Sequence, residues 1–456
     1  MQEIWIERLG SSMTTCEQVT LDQLHAISNF SIDGSSLKAG DLNDLANLKT
    51  LTLRHVYFGN LRFADVFHDI KNLQEIDIEG DASYFLKGNA LTLESLKNYP
   101  LVSLILSGSG PDAVTINSGT FAGMNNLTSV SLNVGKSIIL TGSAFEGAPE
   151  ITFLGFSHVN FSGILPKNAF NGLSKLKSLD LSKQVYYGLG GITGIEDGAF
   201  AGLDSLEILT LKKNSIASLS DHSFDGLSSL KTLDISGSTI PSVSPNAFLP
   251  LRRLEDLNVY DNNITFMPVF SNKSLLKHLV IGGFISSTHP VYYQAKAGDF
   301  DGMDNLEKIE LAFHGSVAGL FAPLKSLSEV NFRTDFETVD LAPMFGNHPS
   351  LKKVLLDSPL SSYTKALFYK FPNAIEMYVG GCGYWSDLEN NGDHILVGAA
   401  NVEKLTLSNC ITNATIIGSS VIRGLSKLKS FELFSPSGPG ILDRNFFFPM
   451  LAILVN

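Results

Sequence analysis

NAFNGLSKLKSLDL at residues 168–181, GAFAGLDSLEILTL at 198–211 and HSFDGLSSLKTLDI at 222–235 are one phrase written three times. Each copy ends in an LxxLxL-type hexamer. Its fourth and sixth residues alternate inward on a short strand and its fifth faces out, because successive strand side chains point to opposite sides. The first position of the hexamer runs from Ile27 and Leu48 through Leu176, Leu206 and Leu230 to Val402 and Leu428, seventeen units at spacings of 21 to 30 residues. A unit of that length cannot bury its apolar face alone, so stacking on its neighbours must supply the core.

A second register runs beside the first. Phenylalanine stands six residues before the hexamer in twelve of the seventeen units, among them Phe121, Phe145, Phe170, Phe200, Phe224 and Phe248. One aromatic per turn at a fixed offset predicts a column of rings along the outer wall, filling volume the strand-side aliphatics do not reach.

The phrase at 168–181 and 198–211 resembles the xxAFxGLxxLxxLxL repeat of extracellular leucine-rich-repeat proteins of animals. The resemblance covers almost the whole chain. It implies an α/β solenoid: a horseshoe with a parallel concave β-sheet and mostly irregular convex returns, similar to Toll-like ectodomains and adhesion proteins. The family usually places Asn, less often Cys, three residues after the strand. Asn214 and Asn262 match that site and Cys382 and Cys410 take the cysteine variant, whereas Asp81, Ser109, Ser238 and His314 do not. With the asparagine ladder mostly missing, buried turn amides need other partners, and irregular turns are expected.

Composition fits one large folded array, with 44% apolar and 17% charged residues. Residues 1–456 read as a single solenoid of about 17–19 repeats that lacks both terminal caps. The chain opens inside a strand at Met1 and closes inside a hexamer begun at Leu451, so an excerpt of a longer precursor is expected, with a membrane anchor or partner subunit lying outside it. FFFPMLAILV at 446–455 is too short to cross ~30 Å of hydrocarbon and is read as one more repeat. The net charge of -12 argues against a nucleic-acid backbone as the main partner.

Three cysteines are too few for a disulfide framework. Cys382 and Cys410 hold equivalent sites in adjacent units, and strand spacing of ~4.8 Å permits a bridge without requiring one. Sequons stand at Asn29, Asn126, Asn160, Asn263, Asn272 and Asn413. A glycan at Asn29, the third residue of its hexamer, would occupy the concave face.

Catalytic chemistry finds no pattern here. There is no GxSxG, HExxH or CxxC, and Gly135-Lys136-Ser137 lacks the glycine five residues earlier that a phosphate loop needs. The ten histidines are dispersed. Neither a cofactor nor a metal is expected, and the chain is read as a non-enzyme.

What remains is surface. Asp180, Thr210, Asp234 and Asn258 occupy successive fifth positions of the hexamers, flanked at the last by Asp256 and Tyr260. This polar, acidic strip suits a basic protein or peptide, with Tyr260 as the apolar anchor. Two units stretch to 30 residues, and their extra segments carry Tyr186-Tyr187 and Tyr292-Tyr293, which either contact a partner or pack against the returning wall. The leading expectation is an extracellular or cell-surface recognition or adhesion module binding a protein ligand or another copy of itself. The alternative is a structural scaffold, or a noncatalytic subunit of a secreted complex or matrix.

Overall fold

A strand begins two residues after the first hexamer position in every unit of the register. In a computed structural model the described residues are 21–34, 36–37, 42, 44–57, 70–156, 159–183, 191–286, 289–334, 341–357, 365–380, 396–408 and 425–434. They divide into two compact units, Met1–Ile240 with Asn246–Arg252, and Pro241–Pro245 with Arg253–Asn456.

In the first unit the hexamer strands are Asn29–Asp33, Thr50–Arg54, Glu75–Asp81, Ser103–Ser109, Ser129–Val134, Phe153–Gly155, Ser178–Asp180, Ile208–Thr210 and Thr232–Asp234. Each pairs in parallel with the next, and equivalent repeat positions stand opposite one another, as in Leu104 beside Val130 and Leu179 beside Leu209. Parallel pairing follows from the return segment in each repeat, which brings the chain back to start the next strand in the same direction. The second unit repeats the plan with Asp256–Asn258, His278–Ile281, Lys308–His314, Glu329–Thr334, Lys353–Asp357, Glu376–Gly380, Lys404–Ser408 and Ser430–Phe434. Inward residues are buried and outward ones are not, as the alternation along Ser129–Val134 shows. The fold is a parallel β-solenoid with little helix.

The phenylalanine register forms the expected column. Phe121, Phe145, Phe170, Phe200, Phe224 and Phe248 stack with centroids 5.1 to 6.4 Å apart. Within the second unit Phe300, Phe321 and Phe345 continue at 5.5 and 5.0 Å but tilt, because the strand residues Phe313 and Phe332 also press on Phe321.

The returns carry more order than the sequence reading expected between residues 86 and 195. Leu86–Lys87, Ala90–Leu91, Val114–Ile116, Ser137–Leu140, Asn160–Leu165 and Gly191–Ile195 build a second, six-stranded sheet. Its pairings are parallel apart from the hairpin of the first two strands. Val114, Ile116, Ile138 and Leu140 of this sheet are buried, so short β-branched runs in the returns add to the core.

The ladder site bears on how long several of the hexamer strands run. Asn214 donates from Nδ2 to the Leu181 and Leu211 carbonyls (2.9 and 2.8 Å) and accepts from Ile192 N–H at 2.9 Å. Asn262 donates to the Val259 carbonyl at 3.1 Å. The strands before these asparagines have three residues each. Where the site holds Asp81, Ser109 or His314, no side-chain amide turns the chain and the strand runs seven residues, through the site itself. Prolonged pairing brings Gly80 and Gly108 together so closely that a Cβ at Gly108 would lie 1.8 Å from the Gly80 carbonyl oxygen, and only glycine fits there. Ser238 stands in for asparagine: its Oγ lies 3.2 Å from the Leu211 carbonyl, to which it donates, and 3.2 Å from the Asn214 N–H, from which it accepts.

Candidate partner-binding face

The outward positions of the hexamer strands form rows that cross neighbouring turns in register. In the first unit Asp180 Oδ1 accepts from Ser182 N–H at 2.9 Å and from Thr210 Oγ1 at 2.6 Å, while the Ser182 and Thr210 hydroxyls lie 2.7 Å apart. Burial works to raise the Asp180 pKa, but the bonds from Thr210 and Ser182 and the charge of Lys212 hold it below the ordinary carboxylate value. Asp234 Oδ1 accepts from the Ser236 amide and hydroxyl, and its Oδ2 meets Lys212 Nζ at 3.0 Å. These members of the strip are therefore brought together across adjacent turns, but with much of their bonding capacity already used inside the chain.

The members in the second unit are similarly engaged. Asp256 pairs with His278. Asn258 Oδ1 accepts from Tyr260 N–H at 3.1 Å. Tyr260, half-buried, accepts at its hydroxyl from Arg333 at 3.2 Å, and Arg333 in turn lies 3.6 Å from Asp357. In the repeat register Tyr260 and Arg333 are separated by the small residues Gly282 and Ala312, which leave room for the two long side chains to meet.

A charge pattern that sequence reading missed runs along the edge of the same face. Lys177 and Lys231 flank Glu207, each at 2.8 Å. These bonds draw the Glu207 pKa down from 4.5 to about 2, Lys177 first and Lys231 second. In the second unit Lys308, Glu329, Lys353, Glu376 and Lys404 stand in register. Ion pairs of 3.4, 3.5 and 3.5 Å link Lys308 to Glu329, Lys353 to Glu329 and Lys404 to Glu376. Like charges directly opposite would repel, so alternation suits an in-register parallel sheet. The signal was available, since equivalent positions of successive hexamers read Lys-Glu-Lys. For Glu207 the folded pKa lies below the unfolded one, so its contribution to stability is present above pH 4.5 and is lost as pH falls toward about 2. Carboxyl NMR titration of the Lys177→Ala/Lys231→Ala double variant is expected to return Glu207 toward its ordinary value; an unchanged titration would remove the lysines as the cause.

One strand departs from this alternation. Glu75, Asp77 and Glu79 all face outward from Glu75–Asp81. Their neighbours in register are Thr50, Thr52 and Arg54 on one side and Ser103, Ile105 and Ser107 on the other. Among the described residues a single ion pair reaches this row, from Arg54 to Glu79 at 3.9 Å. Burial and, against Arg54, the nearby Glu79 charge raise the Asp77 pKa. Three strands along the same sheet, Phe153 is 49% exposed, and its ring edge lies 3.1 Å from where a Cβ on Gly155 would stand. Serines 129 and 178 flank it in register.

The tyrosine pairs separate. Tyr293 is fully buried, its ring meeting Phe300 at 6.4 Å and its hydroxyl donating to Asp299. It is a core residue, which is the packing reading of its loop and not the partner-contact one, because the insertion folds back so that the ring completes the phenylalanine wall. Tyr292 is half-exposed. Tyr186 and Tyr187 lie outside the described residues, as do Cys16, Cys382, Cys410 and the Asn413 sequon. Asn29 and Asn126 are exposed. Asn160 begins a strand of the second sheet. Asn263 donates from Nδ2 to the Pro241 carbonyl at 3.0 Å, and Asn272 Oδ1 accepts from the Ser274 amide and hydroxyl at 3.2 and 2.7 Å. Among the described residues no group of three or more His, Cys, Asp or Glu is placed to hold a metal ion, and no helix is long and apolar enough to cross a membrane.

Comparison with known proteins agrees with this geometry. Residues 94–188 match the BspA type leucine rich repeat region, and residues 189–240 and 204–264 match the leucine rich repeat. BspA-type repeats are bacterial, and the leucine rich repeat match is not specific to animals, so the matches support the repeats and not the animal-type reading of the phrase. No curated protein sequence matches the chain. Among solved structures, a leucine-rich-repeat protein of Leptospira interrogans superposes with a TM-score of 0.57 at 15% identity, covering 95% of this chain and 96% of that one. The receptor of the TLR13–ssRNA13 complex gives 0.50 at 17% identity, over 92% of this chain and 75% of that one. The Toll–Spatzle complex of Drosophila gives 0.48 at 14% identity, over 90% and 48%. The chain carries leucine-rich repeats, and its fold is a leucine-rich-repeat solenoid.

Proposed function

We propose that this chain is a non-catalytic recognition module that binds a cationic protein segment on the outward face of its long sheet, in an extracellular setting. The observation that carries the reading is the contrast between rows. Elsewhere on the sheet carboxylates alternate with lysines or are held by a lysine and hydroxyls together, while among the described residues Glu75, Asp77 and Glu79 share one weak cation and a single hydroxyl bond, from Thr50 to Glu75 at 3.1 Å. A like-charged row costs stability in a folded sheet, and a partner's Lys or Arg side chains would relieve it. Phe153 offers an exposed ring about 14 Å away, three strand spacings along the sheet, and aromatic anchors beside charge-complementary rims are the usual centres of binding energy. Asp180 and Asp234, bonded internally, play the lesser part of holding the face acidic. Sequons at the exposed Asn29 and Asn126 fit a secreted chain.

The test is affinity capture from the native source with the intact chain, followed by the same capture with Glu75→Lys/Asp77→Lys/Glu79→Lys, Phe153→Ala and Asp180→Lys/Asp234→Lys. A basic protein retained by wild type should weaken at least about 100-fold with the first variant, two decades being about 2.7 kcal/mol. Its binding should also weaken with added salt. Retention unaffected by all three variants would sink the proposed face. A partner in fixed stoichiometry that ignores them would make the chain a scaffold, and capture of the chain itself would make it an adhesion module.

A further inference from the structure

Three residues before the hexamer most units place an inward apolar side chain, seen as Leu173, Leu203 and Leu227 in the first unit and Met303, Leu324 and Phe371 in the second, all of them buried. Asn98 and Lys273 also break the pattern, but Asn98 is exposed and Lys273 only half-buried. At this site in the unit that begins its hexamer at Leu351, the residue is His348. The backbone makes the ordinary turn, with Leu351 N–H donating to the His348 carbonyl at 3.2 Å as Leu176 and Leu306 donate to the Leu173 and Met303 carbonyls. Only the side chain differs. The imidazole is 1% exposed, packs edge-on against Phe345 at 5.8 Å, and neither ring nitrogen has a hydrogen-bond partner of good geometry.

The charges around it are of one sign. The preceding turn contributes Lys325, whose Nζ is held 2.7 Å from the Ala322 carbonyl, and the following turn contributes Lys370. Its own turn, Gly346 to Ser350, holds no other charged residue. Burial comes first in lowering the His348 pKa; the Leu324 carbonyl opposes, and Lys325 and Lys370 add to the lowering. No carboxylate is among the groups that act on it. A neutral imidazole completes the apolar column, whereas an imidazolium there would be buried and uncompensated, the arrangement a protein interior tolerates least.

We propose that His348 is an acid-sensitive latch on the second unit: neutral, it holds the turn at 341–351 closed between its neighbours, and on acidification it takes a proton only by leaving the wall, so that this turn opens first. The sign follows from linkage. The folded pKa lies below the ordinary ~6.5 of an exposed histidine, so the stabilisation is complete above that value. As pH falls below it, the open state binds a proton that the closed state does not, and the closed state loses ground until the folded pKa is passed.

Hydrogen exchange of the full chain tests this, comparing pH 7.5 with pH 5.5 after correction for intrinsic exchange. One pH unit below ~6.5 favours the open form up to about tenfold. Amides of 341–357 in wild type should therefore exchange up to about tenfold faster at pH 5.5, while those of 230–260 should not. His348→Leu should abolish the acceleration, and His348→Met, the residue found at 303, provides a second variant should leucine overpack the site. Lys370→Glu should reduce it by giving the imidazolium a counter-charge. An equal acceleration in His348→Leu or His348→Met, or none in wild type, would overturn the proposal.

Discussion

Truncating Phe200 to alanine is expected to destabilise the first unit by roughly 3–5 kcal/mol, the range for removing a large buried aromatic from a core. Phe200 is fully buried, with Phe170 stacked on one side at 6.0 Å and Phe224 on the other at 6.4 Å. Its removal therefore costs the transfer of the ring itself, two aromatic contacts of about 0.5–1.5 kcal/mol each, and a cavity that stacked turns on both sides cannot close. Collapse is restricted because the hexamer strands beside the column are pinned in register, Ile208 to Thr232 and Ser178 to Ile208. In an array held by nearest-neighbour interfaces the loss is local before it is global. Hydrogen exchange should show it first in the turns between 170 and 235, and urea denaturation should show a lowered midpoint. Phe200→Leu should recover part of the loss by refilling volume without restoring the stack. A loss below about 1 kcal/mol in Phe200→Ala would mean that the column does not support the wall.

Replacing Asn214 by leucine is expected to cost about as much for the opposite reason. The volume is nearly kept, but the Leu181 carbonyl loses its donor and the Ile192 amide its acceptor, while the Leu211 carbonyl keeps only the longer bond from Ser238. Each buried polar group left without a partner costs about 1–3 kcal/mol, so the two orphaned groups together cost roughly 2–6 kcal/mol. Asn214 is buried and joins three segments, the end of its own strand, the strand before it and the second sheet, so no rearrangement of one segment can satisfy the other two. Asn214→Ser should lose less, because Ser238 shows that a hydroxyl at the equivalent site reaches a carbonyl of the preceding turn. Comparison of the two variants by urea denaturation separates lost hydrogen bonding from lost packing. Equal stability for leucine and serine would refute the ladder role.

The two substitutions probe features that were legible to different degrees. Column and strand register both follow from period alone, because a solenoid places residue n of one repeat beside residue n of the next. Read one position at a time, the acidic strip shows Asp180, Thr210 and Asp234 facing outward but not what bonds them. Once equivalent positions are read across turns, the same sequence shows Ser182, Lys212 and Ser236 beside them, and Lys177 and Lys231 on either side of Glu207. Tyr293 was legible as an insertion residue that either packs or contacts a partner, and the choice between the two depends on where the insertion folds back. His348 stood in plain view in the sequence, yet its significance rests on neither nitrogen having a hydrogen-bond partner of good geometry and on two lysines supplied by other turns.

By itself, then, the sequence determined the solenoid, its parallel register, the phenylalanine column and the asparagine sites, because each is written as a period along the chain and the energy of stacking rewards that period directly. Only the tertiary structure decided the second sheet between 86 and 195, the pairing of carboxylates such as Glu207, Glu329 and Asp234 with lysines of other turns, the row of Glu75, Asp77 and Glu79, and the fates of Tyr293 and His348. These depend on which side chains from separate turns come within a few ångströms, where burial and hydrogen bonding act on distance and angle rather than on sequence period.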